Sequence, residues 1–113
     1  MDLNAIGYFQ FDNLIQNRIP FVFVNLGVDF SDWYSGLNKT HLEAYALNVD
    51  ASQVLSEIGK KNLPLHTAIL VICPDGTLSK ELCSTLENSG FSNVFYAKGG
   101  FTALAQERET QND

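Results

Sequence analysis

An α/β domain built on a mostly parallel central sheet is the fold class this sequence predicts, from three observations. Two short runs, Phe21-Val22-Phe23-Val24-Asn25-Leu26 and Ala68-Ile69-Leu70-Val71-Ile72-Cys73, are almost continuously apolar, the pattern of strands buried on both faces. Segments with helical spacing alternate with these and with shorter strand candidates. At 113 residues the chain is long enough for one hydrophobic core and too short for two.

The elements follow in order. Tyr8-Phe9-Gln10 reads as a short edge strand, and Phe11, Leu14, Ile15 and Arg18 then recur at helical spacing. Pro20 ends that helix and opens the first buried strand. Residues 27–40, with Gly36, Ser31, Ser35, Asp29, Asp32 and Asn38, read as a long irregular connection around Trp33 and Tyr34. Residues 44–49 form a strand, and Asp50 is a suitable N-cap for a helix over 51–61 with Val54, Leu55 and Ile58 on one face. Pro64 closes that region before the second buried strand. Pro74-Asp75-Gly76 marks a turn, and a helix over 79–87 turns Leu82, Cys83 and Leu86 inward, with Gly90 at its C-cap. Val94-Phe95-Tyr96-Ala97 is a short strand, Gly99-Gly100 follows, and a last helix spans 101–107. The domain is expected over residues 1–108, with 109–113 a polar tail and fraying from Arg108 onward.

Composition narrows the function. Hydrophobic residues at 45% and charged residues at 18% are ordinary for a globular chain and exclude a disordered one. The apolar runs fall far short of the roughly 18 residues of a membrane span, and Met1-Asp2-Leu3-Asn4 lacks the pattern of a secretory signal, so a cytoplasmic location is expected. A net charge of −6 with scattered cations offers no stripe for a phosphate backbone, and neither nucleic acid nor membrane is an expected partner. Lys60-Lys61, the one adjacent pair, reads as a solvated helix end. Cys73 and Cys83 form no Cys-x-x-Cys pair, and with only His41 and His66 beside them no metal site is signalled. Free thiols in a reducing compartment are expected.

Right-handed crossovers place all strand C-termini at one edge, where such folds build their sites. Cys73 ends the second buried strand there. A thiol is nucleophilic as thiolate, and the following turn supplies an environment for one. Gly76 lets main-chain N–H groups turn inward, and the helix after the turn aims its positive end at the loop. Pro74 has no N–H, so Asp75, Gly76, Thr77, Leu78 and Ser79 form the cradle for a persulfide anion or a bound oxyanion. On spacing alone the structural reading is the favoured one, with Cys73 a small buried hydrophobe at a strand end.

Family resemblance widens the case. Ala68 through Cys73-Pro74-Asp75-Gly76-Thr77-Leu78-Ser79, then Gly90-Phe91-Ser92-Asn93-Val94-Phe95 and Gly99-Gly100-Phe101, resembles the second half of a rhodanese domain. Phe21 to Gly27 resembles the strand that usually ends in Asp-Val-Arg, and His41-Leu42 with Ala46-Leu47-Asn48-Val49 resembles the family's Gly-His-Ile and Ala-x-Asn-Ile region. The resemblance spans nearly the whole chain. It implies a three-layer α/β/α rhodanese-like fold and a single-domain sulfurtransferase or sulfur carrier, with Cys73 as the nucleophile and no cofactor. A small sulfur donor (thiosulfate or a persulfide) and a thiol or protein acceptor are the implied partners.

Four departures bear on activity. Asn25 and Gly27 replace the Asp and Arg of a usual structural ion pair; Leu78 stands where active members commonly carry arginine; and Asp75 adds a negative charge. Efficient thiosulfate turnover is therefore not expected, since a cationic loop would attract that anion and only Lys80 is near. Leu104, where tryptophan is frequent, is a packing change. Cys83 reads as core, His41 as a structural hydrogen-bonding residue and His66 as surface. Phe30, Trp33 and Tyr34 cover the core or form a partner-docking patch, and the latter would suit a catalytically inactive rhodanese-like module. A phosphatase of related fold would need a longer loop closed by arginine, and none follows Ser79 there.

Overall fold

The computed structural model describes residues 5–17, 21–28, 30 and 33–111. Five strands, β1 (Ala5–Ile6), β2 (Val22–Asn25), β3 (Ala46–Asn48), β4 (Ile69–Ile72) and β5 (Val94–Ala97), form one sheet in the order β1-β5-β4-β2-β3. Every pairing is parallel, so each connection must cross a face of the sheet. Five helices make the crossings or close the chain: α1 (Tyr8–Gln16), α2 (Gly36–Tyr45), α3 (Val54–Lys61), α4 (Thr77–Asn88) and α5 (Gly100–Gln111).

Alternation along the strands sorts the core into two halves. Phe23, Leu70, Ile72 and Ala97 face α1, α2 and α5 and pack with Phe11, Ile15, Leu42 and Leu104. Val24, Ile69, Val71, Val94 and Tyr96 face α3 and α4 and pack with Val54, Ile58, Cys83 and Leu86. All four residues of β4 are buried, as its unbroken apolar run predicts. The result is the expected three-layer α/β/α architecture.

Several expected boundaries are corrected. Tyr8–Gln10 is helical, and the edge strand is Ala5–Ile6, which pairs with Tyr96 and Ala97. The helix begins early because Gly7 supplies an extended N-cap whose N–H donates to Gln10 Oε1 at 3.0 Å, and Glu107 Oε2 accepts the Tyr8 N–H at 3.0 Å. Arg18, expected on this helix, and Pro20 lie outside the described residues. The irregular connection ends sooner than expected: α2 starts at Gly36 after the extended Ser35, taking Ala44 and Tyr45 from the expected strand and leaving Ala46–Asn48. Asp50 contributes its main-chain carbonyl to a 3₁₀ turn at Ala51–Gln53, and Gln53 is the cap residue of α3. α4 starts at Thr77, two residues before the expected Ser79, because Gly76 adopts the left-handed conformation at its N-cap. Its C-terminus closes with Phe91 N donating to Leu86 O and Gly90 N to Glu87 O, the six-to-one and five-to-two bonds of a Schellman motif. α5 continues to Gln111, past the expected end at 107, and Arg108 is held over the Trp33 ring at 5.1 Å.

Lys60 and Lys61 do end α3, where cations favour the helix dipole, and Lys60 pairs with Glu57 at 3.1 Å. No helix among the described residues is long and apolar enough to cross a membrane.

Candidate functional site

The sheet order places its reversal between β2 and β4. From β2 the chain moves to the neighbour on one side, β3; from β4 it moves to the other, β5. The loops leaving such a pair diverge, and the crevice between them is where open parallel sheets bind ligands. Asn25 is level with Ile72 across this junction, and Cys73 is the next residue of the chain.

Cys73 is fully buried, and its sulfur is held from one side by main chain. The Gly76 N–H donates to Sγ at 3.1 Å and the Ser79 N–H at 3.3 Å. Both come from the start of α4, so the donors and the positive end of a twelve-residue helix converge on one atom. The thiol proton has two acceptors, Ser79 Oγ at 3.4 Å and Asp75 Oδ1 at 3.8 Å. Ser79 is itself buried, and its hydroxyl donates to Gly76 O at 3.2 Å.

The five expected cradle residues are brought together unequally. Gly76 and Ser79 direct N–H groups at the sulfur, whereas the Thr77 N–H donates to Asp75 Oδ1 at 3.0 Å and the Thr77 hydroxyl to the same oxygen at 2.7 Å. These two bonds hold the exposed Asp75 carboxyl below the usual carboxylate range. Leu78 is 46% exposed. Because α4 starts at Thr77, the open loop is only Pro74-Asp75-Gly76, with Thr77, Leu78 and Ser79 in the first helical turn.

The start of α5, to which the sequence alone gives no part in the site, also holds the loop. Phe101 N donates to Cys73 O at 2.9 Å, and Thr102 N and Oγ donate to Pro74 O, each at 3.1 Å. Gly100 permits this approach, since a β-carbon there would run into Gly76 N and stand 2.5 Å from Cys73 O. The Gly99-Gly100 pair was the available signal, since two glycines before a helix mark close backbone approach.

Asn25 closes its own turn: Nδ2 donates to Val28 O at 2.9 Å and Val28 N donates to Oδ1 at 2.8 Å. Beside it, at the carboxyl ends of β2 and β3, lies a cavity of about 250 Å³ lined by Asn25, Val28, Phe30, Lys39, Leu42 and Glu43 among others. Cys83 is buried, with Sγ 3.5 Å from Val94 O, in keeping with a core role. His41 is half-buried, its ring against Phe21, and His66 is exposed. Phe30 is buried, Trp33 stacks on Phe101 and Tyr34 donates to Asp12 Oδ1 at 2.8 Å, so these aromatics cover the core. Leu104 is buried and fills its position by packing. Among the described residues no cluster of three or more His, Cys, Asp or Glu is placed to hold a metal ion.

Comparison with solved structures defines the class of fold. The chain is similar to a rhodanese-related protein of Thermoplasma volcanium at a TM-score of 0.59 and 20% identity, covering 92% of each chain. It is also similar to the SSP1007 protein of Staphylococcus saprophyticus at a TM-score of 0.62 and 16% identity, over 92% of this chain and 93% of that one. No protein-family model matches the sequence, and no curated protein does. The fold is therefore rhodanese-like, an α/β domain on an all-parallel five-stranded sheet.

Proposed function

We propose that this protein is a rhodanese-like sulfurtransferase or sulfur carrier that forms a persulfide on Cys73 and passes the sulfane sulfur to a nucleophilic acceptor. The observation that carries this reading is the convergence of the Gly76 and Ser79 N–H groups on Cys73 Sγ, at the reversal point of a rhodanese-like sheet. Fixed N–H donors aimed at one atom stabilise negative charge there without reorganising, which suits both a thiolate and the persulfide that replaces it.

The chemistry is covalent catalysis in two displacements. The Cys73 thiolate attacks the outer sulfur of a donor. The bond from that sulfur to the rest of the donor breaks, and its electron pair leaves with sulfite if the donor is thiosulfate, or with a thiolate if it is a persulfide. An acceptor thiolate then attacks the outer sulfur of the Cys73 persulfide, and the electron pair of the S–S bond returns to Cys73. No external oxidant or reductant is consumed. The reading of a non-catalytic module docking a partner through Trp33 and Tyr34 has less support, because both side chains pack against the core.

Intact-mass measurement after incubation with thiosulfate or an alkyl persulfide tests the proposal. One added sulfur atom is expected, retained on gel filtration, released by a thiol acceptor and lost in Cys73→Ala. Absence of that adduct with every donor would falsify it.

A further inference from the structure

Negative charge stands beside the buried Cys73 sulfur. Asp75 is exposed, with one carboxylate oxygen 3.8 Å from the sulfur. That same oxygen occupies the Thr77 N–H, a first-turn donor of α4 that an incoming oxyanion would otherwise take. Leu78, in the same helical turn as Thr77 and Ser79, adds an exposed apolar side chain. Among the described residues the only arginine, Arg108, lies over Trp33. The donors that would neutralise a bound dianion are thus partly filled from within, and a fixed negative charge stands beside the reacting atom.

On the sulfur-transfer reading above, we infer that Cys73 draws its sulfur from an alkyl persulfide whose carbon side bears an ammonium group, in preference to anionic donors, and that Asp75 sets this preference. An aminothiol persulfide carries its ammonium two carbons from the inner sulfur, within reach of a carboxylate 3.8 Å from the attacking one. The Cys73 thiolate attacks the outer sulfur of R–S–SH, the S–S pair leaves as R–S⁻, and the outer sulfur with its hydrogen becomes Cys73–S–SH. A unit charge a few ångströms from a solvated carboxylate changes a rate modestly, so amine- and carboxylate-bearing donors of equal reactivity are expected to differ roughly tenfold.

Sulfur loading is followed by intact mass with the persulfides of 2-aminoethanethiol and 3-mercaptopropionic acid, and with thiosulfate, at low and high salt. The wild type should load fastest from the amine and slowest from thiosulfate, and salt should narrow the gap. In Asp75→Asn, which keeps an oxygen for Thr77, the amine-to-carboxylate ratio should fall toward one. In Leu78→Arg, a surface change that adds a cation, thiosulfate should gain on the amine donor. Equal rates for the two persulfides in the wild type, or a ratio unmoved in Asp75→Asn while Cys73 still loads, would overturn the donor preference and leave the sulfur-transfer reading standing. No sulfur on Cys73 from any donor would overturn both.

Discussion

Gly76 and Gly100 meet backbone to backbone beneath the Cys73 loop. A β-carbon on Gly76 would stand 2.9 Å from Gly100 N, and one on Gly100 would run into Gly76 N. Both residues are in the left-handed region, at φ +91° and +69°. The contact brings the starts of α4 and α5 together, so that one helix addresses the sulfur and the other holds the Cys73 and Pro74 carbonyls. The geometry of the site depends on there being no side chain at this crossing.

Gly100→Ala should therefore cost about 2–4 kcal/mol, from left-handed strain together with the collision with main chain that cannot give way. It should also reduce sulfur loading at temperatures where the variant is still folded. Gly59, inside α3 with nothing near its missing β-carbon, is the matched control, and Gly59→Ala should stabilise by about 0.5–1 kcal/mol. Urea denaturation of both variants checks the pair. A Gly100→Ala protein as stable as wild type would show that the two helix starts are not in contact.

Asp75 predicts an acid-side dependence. Its carboxyl is held below the usual carboxylate range, first by the Thr77 hydroxyl and then by the Thr77 N–H. The folded state thus binds the proton less readily than the unfolded chain, whose aspartate titrates near about 3.9. The stability contributed by this group is present above that value and is lost as pH falls through the lower folded one. Wild type minus Asp75→Asn should then be constant between neutral pH and about 5 and should shrink in more acid solution. Denaturation midpoints measured across that range would expose a mistaken sign, which would appear as a difference growing toward low pH.

Much of this arrangement is legible in the sequence, for physical reasons that also explain the rest. β2, β4 and β5 are readable because strands at the centre of a parallel sheet are mostly apolar, and Cys73 at the end of β4 followed by Pro74-Asp75-Gly76 marks the site. α2 is hidden: of its residues whose side chains are described only Leu42 is buried, and Gly36-Leu37-Asn38-Lys39-Thr40 carries no apolar stripe. The first turn of α1 reads as a strand because Tyr8 and Phe9 are aromatic, while what makes it helical is the Gly7 cap and a carboxylate from Glu107, 99 residues away. α5 is likewise understated, since its end is fixed by Arg108 over Trp33, a contact local patterning does not contain. At the site, the bonds from Thr77 to Asp75 follow from neighbours in sequence, whereas the hold of α5 on the loop does not.

Tyr34 predicts the opposite limb. Burial first, and then the hydrogen bond to Asp12, push its hydroxyl well above the ordinary 10. The unfolded chain therefore loses this proton at lower pH than the folded one, and stability should fall as pH rises past about 10. Tyr34→Phe should cost about 1 kcal/mol at neutral pH, through the lost hydrogen bond. The variant should also lose stability less steeply in alkali. Parallel slopes for the two proteins above pH 10 would count against the Asp12–Tyr34 bond.

Trp33 distinguishes a core aromatic from a docking surface. Its ring stacks on Phe101 at a centroid distance of 5.2 Å, meets Phe30 edge-on at 4.7 Å and lies under the Arg108 guanidinium at 5.1 Å. Phe101 is the residue whose N–H holds the Cys73 carbonyl, so the aromatic stack lies directly against the support of the site. Trp33→Ala should cost about 3 kcal/mol through lost packing. Arg108→Ala should cost about 0.5–1 kcal/mol, because its cation–π contact is partly exposed. Because the two residues touch, their effects should be non-additive, and a double-mutant cycle reads the coupling directly. If Trp33→Ala melted with the wild type, the ring would not belong to the core, and a partner surface at this position would become the better reading.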